Sequence, residues 1–229
     1  MKRRTCAAAA VLVLAAVITA CCADNTGAEN SELTMNSDTA SPVGQLITYG
    51  RYEQDGNASN GAEPIEWIIL KEEDDRRLVV SKNVIELMAY DDRHMMTAGS
   101  ITGKQALTPA STSWEGSTVR HWLNTGFFAS AFFDGEEKDT IIRSDSGDWL
   151  FLLSEEDFAL IPEELRAASM TDYCRSLGFT ADGWMLDELN STPDGQYVCI
   201  VKDTGEISRN EALACRGRNG VRPAMWIFK

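Results

Sequence analysis

The chain has 229 residues, with 21 Lys and Arg against 35 Asp and Glu, a formal net charge of −14. A surface that acidic excludes nucleic acid as a partner, because the phosphate backbone would meet a field of its own sign. Cofactor fingerprints are missing as well: Gly99–Lys104 (GSITGK) has three residues between its glycines where a phosphate loop needs four, and Gln105 replaces the hydroxyl residue.

The N-terminus reads as an export address. Lys2-Arg3-Arg4 precedes an apolar stretch, Cys6–Ala20, that is too short to span a bilayer with its own flanks. It ends Val17-Ile18-Thr19-Ala20-Cys21, which resembles a bacterial lipobox, a small residue followed by the cysteine that carries the lipid. Ordinary signal cleavage near Ala20 or Ala23 is the alternative. Without the three signal cations, 18 basic groups face 35 acidic ones, a net of −17. Asp24–Gly44 is poor in large apolar residues, so it cannot bury enough surface to order itself. The expected organisation is a signal peptide over residues 1–20, a lipidated Cys21 and flexible tether over 21–44, and one extracytoplasmic domain over 45–229. The lipid bilayer is then a partner through the anchor.

Within the domain, Leu46–Tyr52 alternates as a strand and Asp55–Ala62 (DGNASNGA) is a loop by composition. Ile65–Leu70 and Leu78–Ser81 read as a hairpin across a charged turn, Lys71–Arg77. Asn83–Tyr90 suggests one helical turn, and the polar Asp91–Ser113 a long irregular loop. The most aromatic segment follows, Thr112–Glu137. Ser117 caps a helix on which Val119, Trp122, Leu123, Gly126 and Phe127 recur at helical spacing. Asn124-Thr125-Gly126 offers a stop, and Asp134 with Glu137 a second start. Trp149–Leu153 is apolar throughout. Short helices are expected after Ser154, from Pro162, and over Thr171–Leu177 with Gly178 as terminator.

The C-terminal part turns to strands: Trp184–Leu189, Tyr197–Val201 and Gly205–Ser208 about Asp203-Thr204-Gly205, and finally Val221–Phe228, where Pro223 marks an edge or a bulge. The fold class is therefore α+β, with N- and C-terminal strands and hairpins forming a sheet and several short helices in the middle.

Candidate chemistry is sparse. His94 and His121 lack the partners of a zinc site, and no nucleophile elbow occurs, so no metal and no cofactor is expected. Asp145–Asp148 and Asn190–Asp194 offer oxygen atoms but no EF-hand pattern. Cys199 and Cys215 flank the predicted hairpin and are the candidate disulfide, with buried thiols at Cys174, Cys199 and Cys215 as the alternative. Trp67, Trp122, Trp149 and Trp226 lie on apolar runs and belong with Leu123 and Phe127 in the core. Trp114 and Trp184 border loops and are candidates for a ligand-binding aromatic platform. Arg120 and Arg222 are either ligand clamps or structural groups paired with carboxylates such as Glu115 or Glu66.

Several segments together resemble a known family. They are Pro64–Trp67, Leu78–Lys82, Trp114-Glu115 with Ser117–Asn124, Ala131-Phe132 with Glu136-Glu137, Phe151–Ser154, and Gly220–Trp226. The chain resembles an uncharacterised bacterial extracellular family, domain of unknown function 6273, across nearly all of Gly44–Lys229. That family is distantly similar to the C-type-lectin-like fold of formylglycine-generating enzymes, which implies a fold and no activity. Members usually carry Trp-Trp-Leu-Arg-Ser-Pro before the C-terminal hairpin. Here Gly183–Glu188 stands there, with Asp187 in place of the arginine.

These readings converge on a membrane-anchored surface lipoprotein with a non-catalytic binding module for an envelope glycan or peptide. The alternative is an envelope-acting hydrolase or modifying enzyme using carboxylates or a cysteine.

Overall fold

The computed structural model describes residues 41–92, 112–133, 135–193 and 195–229. Strands β1 (Leu46–Tyr52), β2 (Glu63–Glu73), β3 (Arg76–Ser81) and β4 (Glu86–Met88) come first. Helix α1 (Thr118–Trp122) then runs through a π-helical turn (Leu123–Phe127) into α2 (Phe128–Ala131), followed by α3 (Gly135–Thr140) and β5 (Ile141–Ile142). Three further short helices, α4 (Glu155–Phe158), α5 (Glu163–Arg166) and α6 (Asp172–Ser176), lead to the last strands. These are β6 (Trp184–Thr192), β7 (Gly195–Val201), β8 (Ile207–Leu213), β9 (Asn219–Val221) and β10 (Ala224–Phe228). The fold is α+β and mostly β. Among the described residues no helix is long and apolar enough to cross a membrane.

The strands form two five-stranded sheets, β1-β2-β3-β10-β5 and β4-β9-β6-β7-β8. The terminal strands do meet in one sheet, but the predicted final strand Val221–Phe228 is broken. β9 ends at Val221 in the second sheet and β10 begins at Ala224 in the first, so Arg222-Pro223 is the crossing between them. Proline suits that place because it has no N–H to leave unpaired. Asn83–Tyr90 is also not a helical turn: Glu86–Met88 pairs with Asn219–Val221 as β4. The β2–β3 hairpin is longer than its apolar runs, since Glu72 faces Arg77 and Glu73 faces Arg76 across it.

The continuous apolar runs have a common cause. Along β2, Ile65, Trp67 and Ile69 enter one core cluster, whereas Ile68 and Leu70 enter another. Strand β7 divides likewise, Val198 and Ile200 against Cys199 and Val201. Successive side chains point to opposite faces, so a run without polar interruptions means a strand covered on both faces. Val119, Leu123, Phe127 and Phe132 from the α1–α2 region complete the first cluster; Phe158, Ile161 and Cys174 from the α4 and α6 region complete the second. The caps at Ser117 and Ser154 fall where the sequence places them, and Thr171 caps α6 where the sequence reading put it inside the helix. Ser117 accepts from the Arg120 N–H, Ser154 from Asp157 and Thr171 from Cys174.

One expectation for the aromatic segment fails. Asn124-Thr125-Gly126 does not stop the helix, and the chain continues through a π turn to Ala131. The polar residue that favours termination is used elsewhere: Asn124 Oδ1 accepts the Trp149 and Leu150 N–H groups at 2.7 and 3.2 Å, and Nδ2 donates to Leu150 O at 2.9 Å. Such π turns arise as one-residue insertions into α-helices. Asp134, the expected second cap, lies outside the described residues.

Candidate functional site

The aromatic segment is fastened to the loop after β5 by one buried carboxylate. Asp148 is 3 % exposed. Its Oδ1 accepts from Arg120 Nε at 2.8 Å, with Nη2 at 2.7 Å, and its Oδ2 accepts from Trp114 Nε1 at 2.8 Å and Ser146 Oγ at 3.0 Å. Four donors on two oxygens satisfy a buried charge that would otherwise be costly. Ser144 Oγ takes the Asp148 N–H, so the loop is folded around its own anion-bearing residue. Arg120 is therefore held by Asp148 and by the carbonyl of Glu115, not by the Glu115 carboxylate.

Beside this clasp lies a cleft of about 300 Å³. Its walls include Glu115, His121, Thr125, Arg143 and Trp149. The Arg143 guanidinium stands 3.9 Å from the centre of the Trp149 ring, and Trp149 stacks on Phe128 at 5.2 Å with planes 5° apart. Lys138 Nζ lies 5.7 Å from the Phe128 ring. The result is a four-layer stack, cation, indole, phenyl, cation, each cation facing the electron-rich face of a ring. The predicted core tryptophan Trp149 is thus half-buried and doubles as a cleft wall. Trp122 and Trp226 are also only half-buried, stacked on Phe127 and under Arg76 respectively, while Trp67, Leu123 and Phe127 are fully buried.

A second carboxylate sits near the clasp under different terms. Asp187 lies where the β6–β7 register slips between Met185 and Leu189, and its N–H goes to Leu153 O. A bulge of this kind turns a side chain away from its strand's own alternation. Asp187 Oδ1 accepts from Tyr90 Oη at 2.7 Å, and the Tyr90 ring is 6.3 Å from that of Trp114. Burial pushes the Asp187 carboxyl up to about 6, against the opposing pull of the Tyr90 hydrogen bond, and the charges of Glu188, Glu115 and Asp148 add to the rise. Burial likewise pushes the Tyr90 hydroxyl well above its ordinary range.

Three other candidates move. Trp184 is 1 % exposed, with Nε1 donating to Arg166 O at 2.9 Å, so it is no surface platform. Arg222 is fully buried at 0 % exposed and, among the described residues, meets neither Glu66, which pairs with Lys82, nor any other carboxylate. Its Nε donates to Ser81 O at 2.6 Å, its guanidinium lies 4.8 Å from the Trp184 ring, and Nη1 and Nη2 have no partner. Burial lowers its pKa to about 10. The Cys199–Cys215 disulfide is not formed, and all three described cysteines are free. Register explains this: Tyr197 faces Leu213 and Val198 faces Ala212, which puts Cys215 opposite residue 195. Four residues of strand, roughly 13 Å, then separate the thiols, well beyond bridging range.

Among the described residues, neither oxygen-rich loop singled out in the sequence gathers three or more acidic, histidine or cysteine ligands. Asp148 is spent on the clasp, and residues 93–111 with His94, together with Asp194, lie outside the described residues. Glu53, Asp55 and Glu63 do bring oxygens within 4.8 Å of one another. Their convergence is accounted for by the loop itself, since they accept the N–H groups of Gln54, Asp55 and Asn57.

The chain belongs to the family described as "Domain of unknown function (DUF6273)", whose model matches residues 75–229. The matched span opens at the β2–β3 turn, yet β1 and β2 complete the first sheet, so the folded unit extends before it. Comparison with curated proteins and with solved structures gives no match.

Proposed function

We propose that the chain is a membrane-anchored surface lipoprotein whose domain binds an envelope glycan or peptide without transforming it. The observation that carries this reading is the cleft beside the clasp. An indole edge, an exposed guanidinium, an imidazole and a hydroxyl converge there within about 300 Å³, a volume and lining suited to a sugar ring or a short peptide. The lipobox ending in Cys21 and the tether behind it support a place on the outer side of the membrane, and the distant C-type-lectin-like resemblance of the family suits a binding role by analogy. Arrays of glycans, peptidoglycan fragments and peptides test the reading with the full chain. Saturable binding to one of them is expected, weakened about tenfold by Arg143→Ala; no saturable binding across all three sinks it. Radiolabelled palmitate fed to a bacterial host tests the anchor. Label should enter the chain and be lost with Cys21→Ser, and label that persists in that variant rules the lipidation out.

A second reading, an envelope-acting enzyme, is favoured by Asp187 alone. A carboxyl raised to about 6 beside a tyrosine hydroxyl in a partly buried site can hold or release a proton near neutral pH. The thiol version has less support, since burial pushes Cys174 and Cys199 up to about 11 and away from the thiolate. An enzyme of the carboxylate kind loses turnover in Asp187→Asn while staying folded.

A further inference from the structure

A separate cleft of about 370 Å³ opens where the chain enters β6. It shares no residue with the cleft at Trp149. Its apolar side is formed by Val84, Ala168 and Met170. Set against that apolar side is Asp182, whose Oδ2 is buried and has no hydrogen-bond partner. Native structures pair nearly all such atoms, and one left unpaired calls for an explanation. The cation nearest in the lining cannot supply it, because Lys202 Nζ is engaged with Glu211 at 2.9 Å. A divalent cation would need several converging oxygen ligands, and the lining offers two carboxylates, Asp182 and Asp203.

The loop that carries Asp182 is held in place by its neighbour. A Cβ on Gly183 would lie 2.6 Å from Val201 O, so only glycine allows the loop to press this closely on β7. The Gly183 carbonyl in turn accepts from Gly220 N at 2.8 Å. Just upstream, Phe179 and Leu177 are 54 % and 38 % exposed, which leaves apolar surface on the chain leading into the cleft.

We infer that this cleft binds a ligand with an apolar body and a primary ammonium, the ammonium donating to the Asp182 carboxylate and the body lying on Ala168 and Met170. The chemistry is shared by a free amine and by the N-terminus of a peptide with an apolar first residue. The test uses the ¹⁵N-labelled full chain, titrated with benzylamine, with Phe-Ala-Ala amide, and with its N-acetylated twin. Saturable amide shifts at Thr180–Trp184 and Val201–Asp203 are expected with at least one of the two free amines, and which of them binds tighter identifies the source. Acetylation should abolish the peptide's shifts, and benzoate should give none. Asp182→Asn should weaken binding about tenfold or more. Thr180→Trp should abolish it by filling the entrance from an exposed position that bears no core packing. Shifts absent with both free amines, binding undiminished in Asp182→Asn, or benzoate binding as well as benzylamine each overturns the inference.

Discussion

Arg120 and Arg222 occupy the two strongest motifs of the chain, yet the protein treats them in opposite ways. Arg120 is partly exposed and shares the Asp148 carboxylate with Trp114, so its charge is matched across 2.7–2.8 Å. Arg222 is entirely buried between two sheets with one carbonyl bond, one indole face and two unpaired nitrogens. The first is a cross-link whose ionic partner can be named; the second is a long, stiff filler at the crossing of β9 into β10. A charge stabilises a buried site only when its geometry and hydrogen bonds offset desolvation, and that condition is met in one place and not in the other.

Four substitutions break or sharpen this contrast. Trp184→Ala removes the indole under Arg222 and leaves a cavity in the second core cluster. It should cost about 3–5 kcal/mol in urea unfolding, the largest effect of the set. Asp148→Ala strands the Arg120 guanidinium and the Trp114 N–H together and should cost about 3 kcal/mol, with Trp114 fluorescence shifting as its partner is lost. A loss below roughly 1 kcal/mol would mean the clasp is ornamental.

Asp187→Asn tests the other carboxylate near the clasp through pH. The folded protein keeps that proton up to about 6, whereas the unfolded chain releases it near the ordinary carboxyl value of 3.8. Between those values the native state binds more protons, so stability falls as pH rises through the window and is level above it. The asparagine variant should lose this slope and be more stable than the parent above pH 6 by up to about 3 kcal/mol. A parent protein whose stability rises from pH 4 to 6 at this site would reverse the assignment.

The smallest effect is expected from Arg222→Met. It keeps length and apolar volume while removing a charge with no counter-ion, so stability should change by less than about 1 kcal/mol, in either direction. A large loss in that variant would show that the unpaired nitrogens have a partner in solution.

Much of the architecture was legible in the chain because it is governed by local chemistry. The caps at Ser117 and Ser154, the hairpins and the family motifs depend on residues a few positions apart. Long-range placement was not legible. Asn124-Thr125-Gly126 carries every mark of a helix end, and only the arrival of Trp149 and Leu150 at Asn124 turns it into a π turn within a longer helix. Asp148 gave no local signal for its four donors, three of which come from residues 28 and 34 positions away.

By itself, then, the sequence determined the acidic charge, the family, the α+β class and the strands whose unbroken apolar runs demand cover on both faces. It could not say that those strands divide into two sheets at Arg222-Pro223, that Trp184 is buried while Trp149 walls a cleft, or that Cys199 and Cys215 stand out of register. These depend on which distant segments meet, and register and burial are properties of the meeting, not of either segment alone.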